Sequence, residues 1–345
     1  MIKPQKLCKG DKVALVSLSS GMTGDKQMQA RYEIGKRRLE EVFGLQVVEM
    51  PNSLKGSEYL YNNPKARAED MMNAFKDKEI KAIISNIGGE ETIRILPFIE
   101  YDVIKNNPKI LLGFSDTTIN HFMCYKAGLI SYYGPSVLTD FSENVQMHDY
   151  TVNSVIRTLF KSDPIGEIVP NTYWTDEFLP WENVENNNIK RKLNEDTKGY
   201  ELLQGKGSVE GKLIGGCVEV LDWIRGTELW PSEKEWENSI LFLETSEEKP
   251  KPSDLRFILR SLVTMGVFKL INGTIVGKPC GEEYYEEYKE EYIRIAKEAG
   301  REDMPILYNM NFGHNAPFAI LPYGVSCKID CETKRFFIIE NGVED

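Results

Sequence analysis

From the start of the chain to about residue 140, short apolar runs alternate with segments whose apolar residues recur at three- and four-residue spacing. "KVALVSLSS" reads as a strand, "KQMQARYEIGKRRLEEVFG" as a helix stopped by Gly44, and "LQVVEMP" as a second strand. "PKARAEDMMNAFKDKE" places Met71, Met72, Ala74 and Phe75 on a helix, and "IKAIISNIGG" is a strand ending in Gly88 and Gly89. "PKILLGFSD", a helix from Asp116 and "LISYYGPS" continue the alternation. Such repetition predicts a parallel sheet with helices on both faces, and in sheets of that kind ligands gather at the C-terminal ends of the strands.

The pattern then breaks. Residues 168–207 have no sustained period and are rich in Asn, Asp, Glu and aromatics, as expected of a functional loop or a linker. Beyond them, "SVEGKLIGGCVEVLDWIRGTELW" predicts a strand, a glycine turn and a short helix, and "SILFLETSEE" a strand running into acids. "KPSDLRFILRSLVTMGVF" predicts a helix capped by Ser253 and closed by Gly266. "GTIVGKP", "PILYNMNFGH", "VSCKIDC" and "RFFIIENG" add strands around a charged helix, "EEYYEEYKEEYIRIAKEAG". The fold class expected is therefore α/β. An N-terminal parallel-sheet domain with helices on both faces (1–167) is followed by a linker and substrate loop (168–207) and a C-terminal mixed α/β domain (208–345). At 345 residues the chain is longer than one core usually supports, which agrees with two domains.

Composition mainly excludes. With 53 Asp plus Glu against 42 Lys plus Arg, the formal charge of -11 works against a phosphate backbone, so no nucleic acid polymer is expected as a partner. The apolar run Val13 to Leu18 is too short for a secretory segment or a membrane span, and no other run approaches spanning length. The expectation is a cytoplasmic protein without a membrane partner. The six cysteines are scattered, only Cys327 and Cys331 lie close, and three histidines complete the list of soft ligands. That is no zinc pattern, so free thiols, no metal and no cofactor are expected.

Four weak signals sit at ends of predicted strands. Ser115 and Asp116 stand at a strand-to-helix corner, where a nucleophile or an ordinary helix N-cap would be placed. His314 follows a strand and Gly313, in a loop punctuated by Pro317 and Pro322, a catalytic position unless it is a structural histidine. His121 lies inside a helix and His148 in a polar surface stretch. Glu244 closes "SILFLE", either solvated or orienting an imidazole, and Gly88 and Gly89 offer bare amides or a plain turn. Together they supply what acyl transfer through a serine requires. Ser115 attacks, His314 moves the proton, Glu244 holds the imidazole, and the amides of Gly89 and Asp116 receive the oxyanion.

The stretches "IGGEETIRILPFIEYDVIKNNPKILLGFSDTTINHFMCYKAGLISYYGP", "GKLIGGCVEVLDWIRGT", "ILFLETSEEKPKPSDLRFILRSLVTMGVF", "IVGKP" and "FGHNAPFAILPYG" resemble the LD-carboxypeptidase family of serine peptidases, over nearly the whole chain and in the same order. That family includes cell-wall LD-carboxypeptidases and microcin C self-immunity proteins. The resemblance implies a triad of Ser115 in "GFSD", Glu244 in "FLET" and His314 in "FGH", an oxyanion site at Gly89 and Asp116, no metal, a cleft between two domains and a homodimer.

"NIGGEET", "LFLETSEEKP" and the long "YWTDEFLPWENVENNN" loop resemble the immunity branch more than the wall-recycling one. In that branch an aromatic stacks on the substrate's nucleotide base, which implies Trp181 with Trp174 as its rival, while Glu282 in "GKPCGEEYY" would face the substrate. The branch often has a Trp where this chain has Tyr200, a departure in the local substrate contacts. The function expected is a metal-independent serine carboxypeptidase or amidase. It would cleave the amide between a C-terminal amino acid and a nucleotide-like group, in a small peptide or in a peptidyl or aminoacyl nucleotide. The alternatives are release of D-Ala from murein tetrapeptides, or a binding protein of the same fold in which Ser115 is only a helix cap.

Overall fold

A computed structural model describes residues 1–345. Strands β1 (Lys12–Val16), β2 (Gln46–Glu49), β3 (Ile80–Ser85), β4 (Ile110–Gly113) and β5 (Tyr132–Tyr133) come from the first part of the chain. They are followed by β6 (Gly166–Glu167), the hairpin β7 (Tyr173–Trp174) and β8 (Asn194–Glu195), β9 (Glu201–Gln204) and β10 (Ser208–Cys217). The last six are β11 (Ser239–Glu244), β12 (Gly273–Gly277), β13 (Ile306–Met310), β14 (Leu321–Pro322), β15 (Ser326–Asp330) and β16 (Arg335–Ile338).

The first sheet has the order β14-β5-β4-β3-β1-β2 and is parallel throughout except at β14. Its central strands, "KVALV", "IKAIIS" and "ILLG", are buried at almost every position because helices cover both faces. The helices at Gln29–Glu41 and Pro64–Lys76 turn Tyr32 and Leu39, and Ala68, Met71, Met72 and Phe75, toward the sheet.

The second sheet, β6-β16-β15-β10-β11-β12-β13-β9, has a parallel centre from β10 to β13 with antiparallel strands on either side. The chain is thus the expected α/β architecture of a parallel sheet followed by a mixed one. The two sheets exchange edges: β14 returns from the C-terminal part to the first sheet, and β6 joins the second. One apolar cluster of 88 buried residues runs through both.

Two local expectations change. The glycine turn predicted near Gly215 is absent, and β10 runs through Gly215 and Gly216 to Cys217, paired in register with Phe242 to Glu244 of β11. Its backbone is held there from the other sheet, since Tyr323 Oη donates to the Gly215 carbonyl and the Cys217 amide to Thr118 Oγ1. The helix Pro252–Thr264 starts one residue before Ser253, with Pro252 in its first turn, because a proline needs no hydrogen-bond acceptor there; Gly266 closes it in the left-handed region as expected. The 168–207 segment holds β7, β8 and a single 3-10 turn, Val184–Asn188, before β9 joins the edge of the second sheet.

Candidate active site

Strand β4 stops at Gly113, and after Phe114 the chain turns into a 3-10 turn, Ser115–Thr117, that runs into the helix Thr118–Lys126. Ser115 stands at this corner with φ of 60°, a left-handed conformation that a residue with a Cβ avoids unless its surroundings hold it. Here they do. The Ser115 amide donates to Tyr133 Oη at 3.1 Å, and the Thr117 amide to the Phe114 carbonyl. Gly88 packs against the serine so closely that a Cβ on it would lie 2.8 Å from Ser115 Cβ and 3.1 Å from Oγ, so only glycine leaves the hydroxyl clear.

Glu244 ends β11 fully buried, and its two oxygens are differently engaged. Oε1 accepts from Tyr133 Oη, and Oε2 lies 2.7 Å from His314 Nδ1. Gly313 makes the second contact possible, since a Cβ at that position would meet Glu244 Oε2 at 2.7 Å. The His314 ring packs edge-on against Phe114 at 5.0 Å between centroids. Ser115, Tyr133, Glu244 and His314, from four separate strand ends, therefore form one connected group. Tyr133 was invisible to sequence reading: in "LISYYGP" it looks like one more buried strand aromatic.

The other face of His314 meets Glu247. Its Oε2 lies 3.0 Å from His314 Nε2, an ion-pair contact not aligned as a hydrogen bond, and the serine makes no hydrogen bond to that nitrogen. Burial opposes a charge on the imidazole, but Glu244 and Glu247 on its two sides outweigh it and hold its pKa well above the ordinary histidine value. The same contact draws the Glu247 carboxyl down to about 2.

Asp116, expected to lend its amide to an oxyanion, also buries its carboxylate completely. Oδ2 accepts from Ser19 Oγ and from the Thr92 amide and hydroxyl, at 3.2 and 2.8 Å. Desolvation still raises it to about 6, more than these donors lower it. Ser19 accepts in turn from the Glu91 amide, so Asp116 ties the Ser115 corner to the Gly88–Gly89 loop. Gly89 has φ of 146°, and neither its amide nor that of Asp116 has an acceptor within the protein.

These groups open on a cavity of about 560 Å³. Ser115, His314, Gly88, Gly89, Glu247 and Trp181 all line it. Trp181 is half-buried, with the Arg31 guanidinium 4.5 Å from its ring centroid and Phe178 against it at 5.4 Å. Trp174 lies elsewhere, buried with Lys278 Nζ 5.0 Å from its ring. Glu282, expected to face the substrate, is not on the wall. It pairs with Lys278 and Lys198 at 3.1 and 3.3 Å, because the buried Lys278 ammonium draws it inward. His121 is structural, its ring nitrogens 2.9 Å from Ser131 Oγ and the Gly113 carbonyl, with burial lowering its pKa to about 3. His148 contacts Glu143 at 3.3 Å away from this cavity. All six cysteines are free, and no cluster of three or more His, Cys, Asp or Glu is arranged to hold a metal ion.

Residues 13–134 match the LD-carboxypeptidase N-terminal domain, and residues 210–329 the LD-carboxypeptidase C-terminal domain. The chain is 32% identical over 279 residues to the microcin C7 self-immunity protein MccF of Escherichia coli, covering 80% of this chain and 78% of that one. Among solved structures it resembles an MccF-like protein from Streptococcus pneumoniae in complex with AMP, at 37% identity and a TM-score of 0.88, over 95% and 98% of the two chains. MccF in complex with aspartyl sulfamoyl adenosine superposes over the whole of both chains, with a TM-score of 0.84 at 28% identity.

Proposed function

Because this chain belongs to the LD-carboxypeptidase family of serine peptidases, we propose that it is a serine hydrolase that cleaves the amide between a C-terminal amino acid and a nucleotide-like group. The observation that carries the reading is the connected group of Ser115, Tyr133, Glu244 and His314 on a cavity whose wall also presents Trp181. That MccF binds aspartyl sulfamoyl adenosine supports the choice of substrate class.

Ser115 Oγ attacks the carbonyl carbon while His314 Nε2 takes its proton; Glu244 on Nδ1 keeps the imidazole oriented and stabilises its cation. The free amides of Gly89 and Asp116 hold the negative oxygen of the tetrahedral intermediate. His314 returns the proton to the leaving nitrogen, and water then releases the acyl group by the same steps. Trp181, backed by Arg31, offers a flat face on which a nucleobase stacks.

The test is hydrolysis of an aminoacyl sulfamoyl adenosine and of a murein tetrapeptide in parallel, followed by mass spectrometry, with wild type and Ser115→Ala. Cleavage of the nucleotide conjugate by wild type alone supports the proposal. Cleavage of the tetrapeptide alone moves the protein to wall recycling, and cleavage of neither leaves a binding protein in which Ser115 caps a helix.

A further inference from the structure

The lining of the cavity that His314 shares is acidic in an unbalanced way. Besides Glu247 it carries Asp140, Asp176, Glu177 and Glu182, against two guanidiniums, Arg31 and Arg191. Both guanidiniums are engaged inside the protein. Arg31 donates to the Leu138 carbonyl at 2.7 Å and to Asn144 Oδ1 at 2.8 Å, and Arg191 grips the Glu143 carboxylate. Asp176 faces Lys249 at 3.7 Å and Glu177 accepts from the Lys192 amide at 2.6 Å, but Glu247 has no ion-pair partner except His314, so a terminal carboxylate would find no free cation on this lining whereas an ammonium would find Glu247.

Glu247 is the carboxylate placed to meet it. Its side chain is about two-thirds exposed, yet the turn that carries it is built firmly. The Ser246 amide and hydroxyl both donate to Glu219 Oε1, at 3.0 and 2.6 Å, and Ser246 accepts from the Glu248 and Lys249 amides. His314 Nε2, in a side chain only 8% exposed, is itself buried and makes no aligned hydrogen bond, its close partner being that carboxylate. The nitrogen that must receive the serine's proton is thus covered by a replaceable ion pair.

We propose that Glu247 is a specificity residue that binds a free ammonium on the acyl part of the substrate, and that this pairing draws it off His314 Nε2 and opens that nitrogen to Ser115. The inference rests on the hydrolase reading above and names its substrate more closely, as an aminoacyl rather than a simple acyl conjugate. As the ammonium arrives, the Nε2 proton leaves to water, so Glu247 faces one positive charge before and after. The remaining ionisable groups around His314 are Glu244, which stays on Nδ1, Tyr133 behind it, and Cys280, which donates to the His314 carbonyl and whose thiol is pushed up to about 12 by burial.

The experiment compares kcat/KM for alanyl sulfamoyl adenosine and for its propionyl counterpart, which lacks the amine, over a range of pH, with wild type and Glu247→Gln. The expected result is a wild-type preference for the alanyl compound of about tenfold or more, as a charge-assisted contact provides. In Glu247→Gln the preference collapses toward unity. The acid limb of the propionyl profile also moves to lower pH, since His314 has lost one of two carboxylates, and the His314 ring titrates lower by NMR in the free protein. Equal wild-type rates on the two compounds, or a preference that survives Glu247→Gln, overturn the inference. A merely structural Glu247 would lower both rates together without moving the limb. Cleavage of neither compound by wild type would instead bring down the reading of a nucleotide-conjugate hydrolase, and this inference with it.

Discussion

Ser115 keeps a left-handed backbone although it has a side chain, which costs a non-glycine residue about 1–2 kcal/mol. Ser115→Gly is therefore expected to raise stability by about 1 kcal/mol in urea unfolding while abolishing hydrolysis, whereas Ser115→Ala keeps the strain and lowers kcat by roughly 10⁴-fold or more. A serine acting only as a helix cap would show the same strain relief, because it follows from the backbone, but no loss of turnover in either variant. Trp181→Ala is expected to weaken turnover of adenosine-containing amides by about tenfold or more, the magnitude of one lost base stack, and that of murein peptides far less. Equal losses would remove Trp181 from the site. Asp116 supplies a pH signature. Its folded pKa, raised to about 6 from the ordinary 3.8, means the folded state holds a proton that the unfolded state releases earlier. Its contribution is full below about pH 4 and is lost as pH rises toward 6, amounting to about 3 kcal/mol across that window. Asp116→Asn is expected to flatten this part of the stability curve.

At the scale of elements, the loop that carries Trp181 is docked by polar contacts rather than by a periodic apolar face. Asn144 Nδ2 donates to the Asn186 and Ile189 carbonyls at 2.8 and 3.1 Å, the Val145 amide donates to the Asn187 carbonyl, and Arg191 grips Glu143. Burial alone would raise Glu143, but His148 and Arg191 together hold it at about 2. Its stabilising effect is present above the ordinary carboxylate pKa and is lost as pH falls from about 4.5 to about 2. Glu143→Gln is expected to remove that acid-sensitive increment, of order 3 kcal/mol, and to expose the 176–192 stretch to protease at neutral pH. No hydrophobic period announces a docking of this kind, which is why residues 168–207 read only as a loop. The strands read differently: "KVALV", "ILLG" and "SILFLE" are buried at every position but Lys12, and continuous apolar runs bounded by glycine or acid need no tertiary knowledge to be recognised.

For the whole molecule, the buried Lys278 joins the 168–207 segment to the second sheet. Its ammonium meets Asp196 at 3.0 Å, Asn309 Oδ1 at 2.7 Å and Glu282 at 3.1 Å, with Lys278 and Asp196 each only 1% exposed by side chain. Lys278→Met would leave Asp196 buried and unpaired, an expected loss of about 3–5 kcal/mol in urea unfolding, and the double change with Asp196→Leu should recover much of it. The alternation of elements, the serine at its corner, the glutamate closing its strand and the histidine after Gly313 were all legible in the sequence, because each is a local matter of period and punctuation. Tyr133 and Glu247 were not. A tyrosine among apolar neighbours and a glutamate in an acidic turn look ordinary until the chain folds. Only the tertiary structure brings the end of β5 beneath Ser115 and the turn after β11 onto His314, because those contacts join residues 18 and 67 positions apart in sequence. Local sequence determines elements, but which side chains share a proton or a charge is decided by how the two sheets pack, and that depends on the whole core at once.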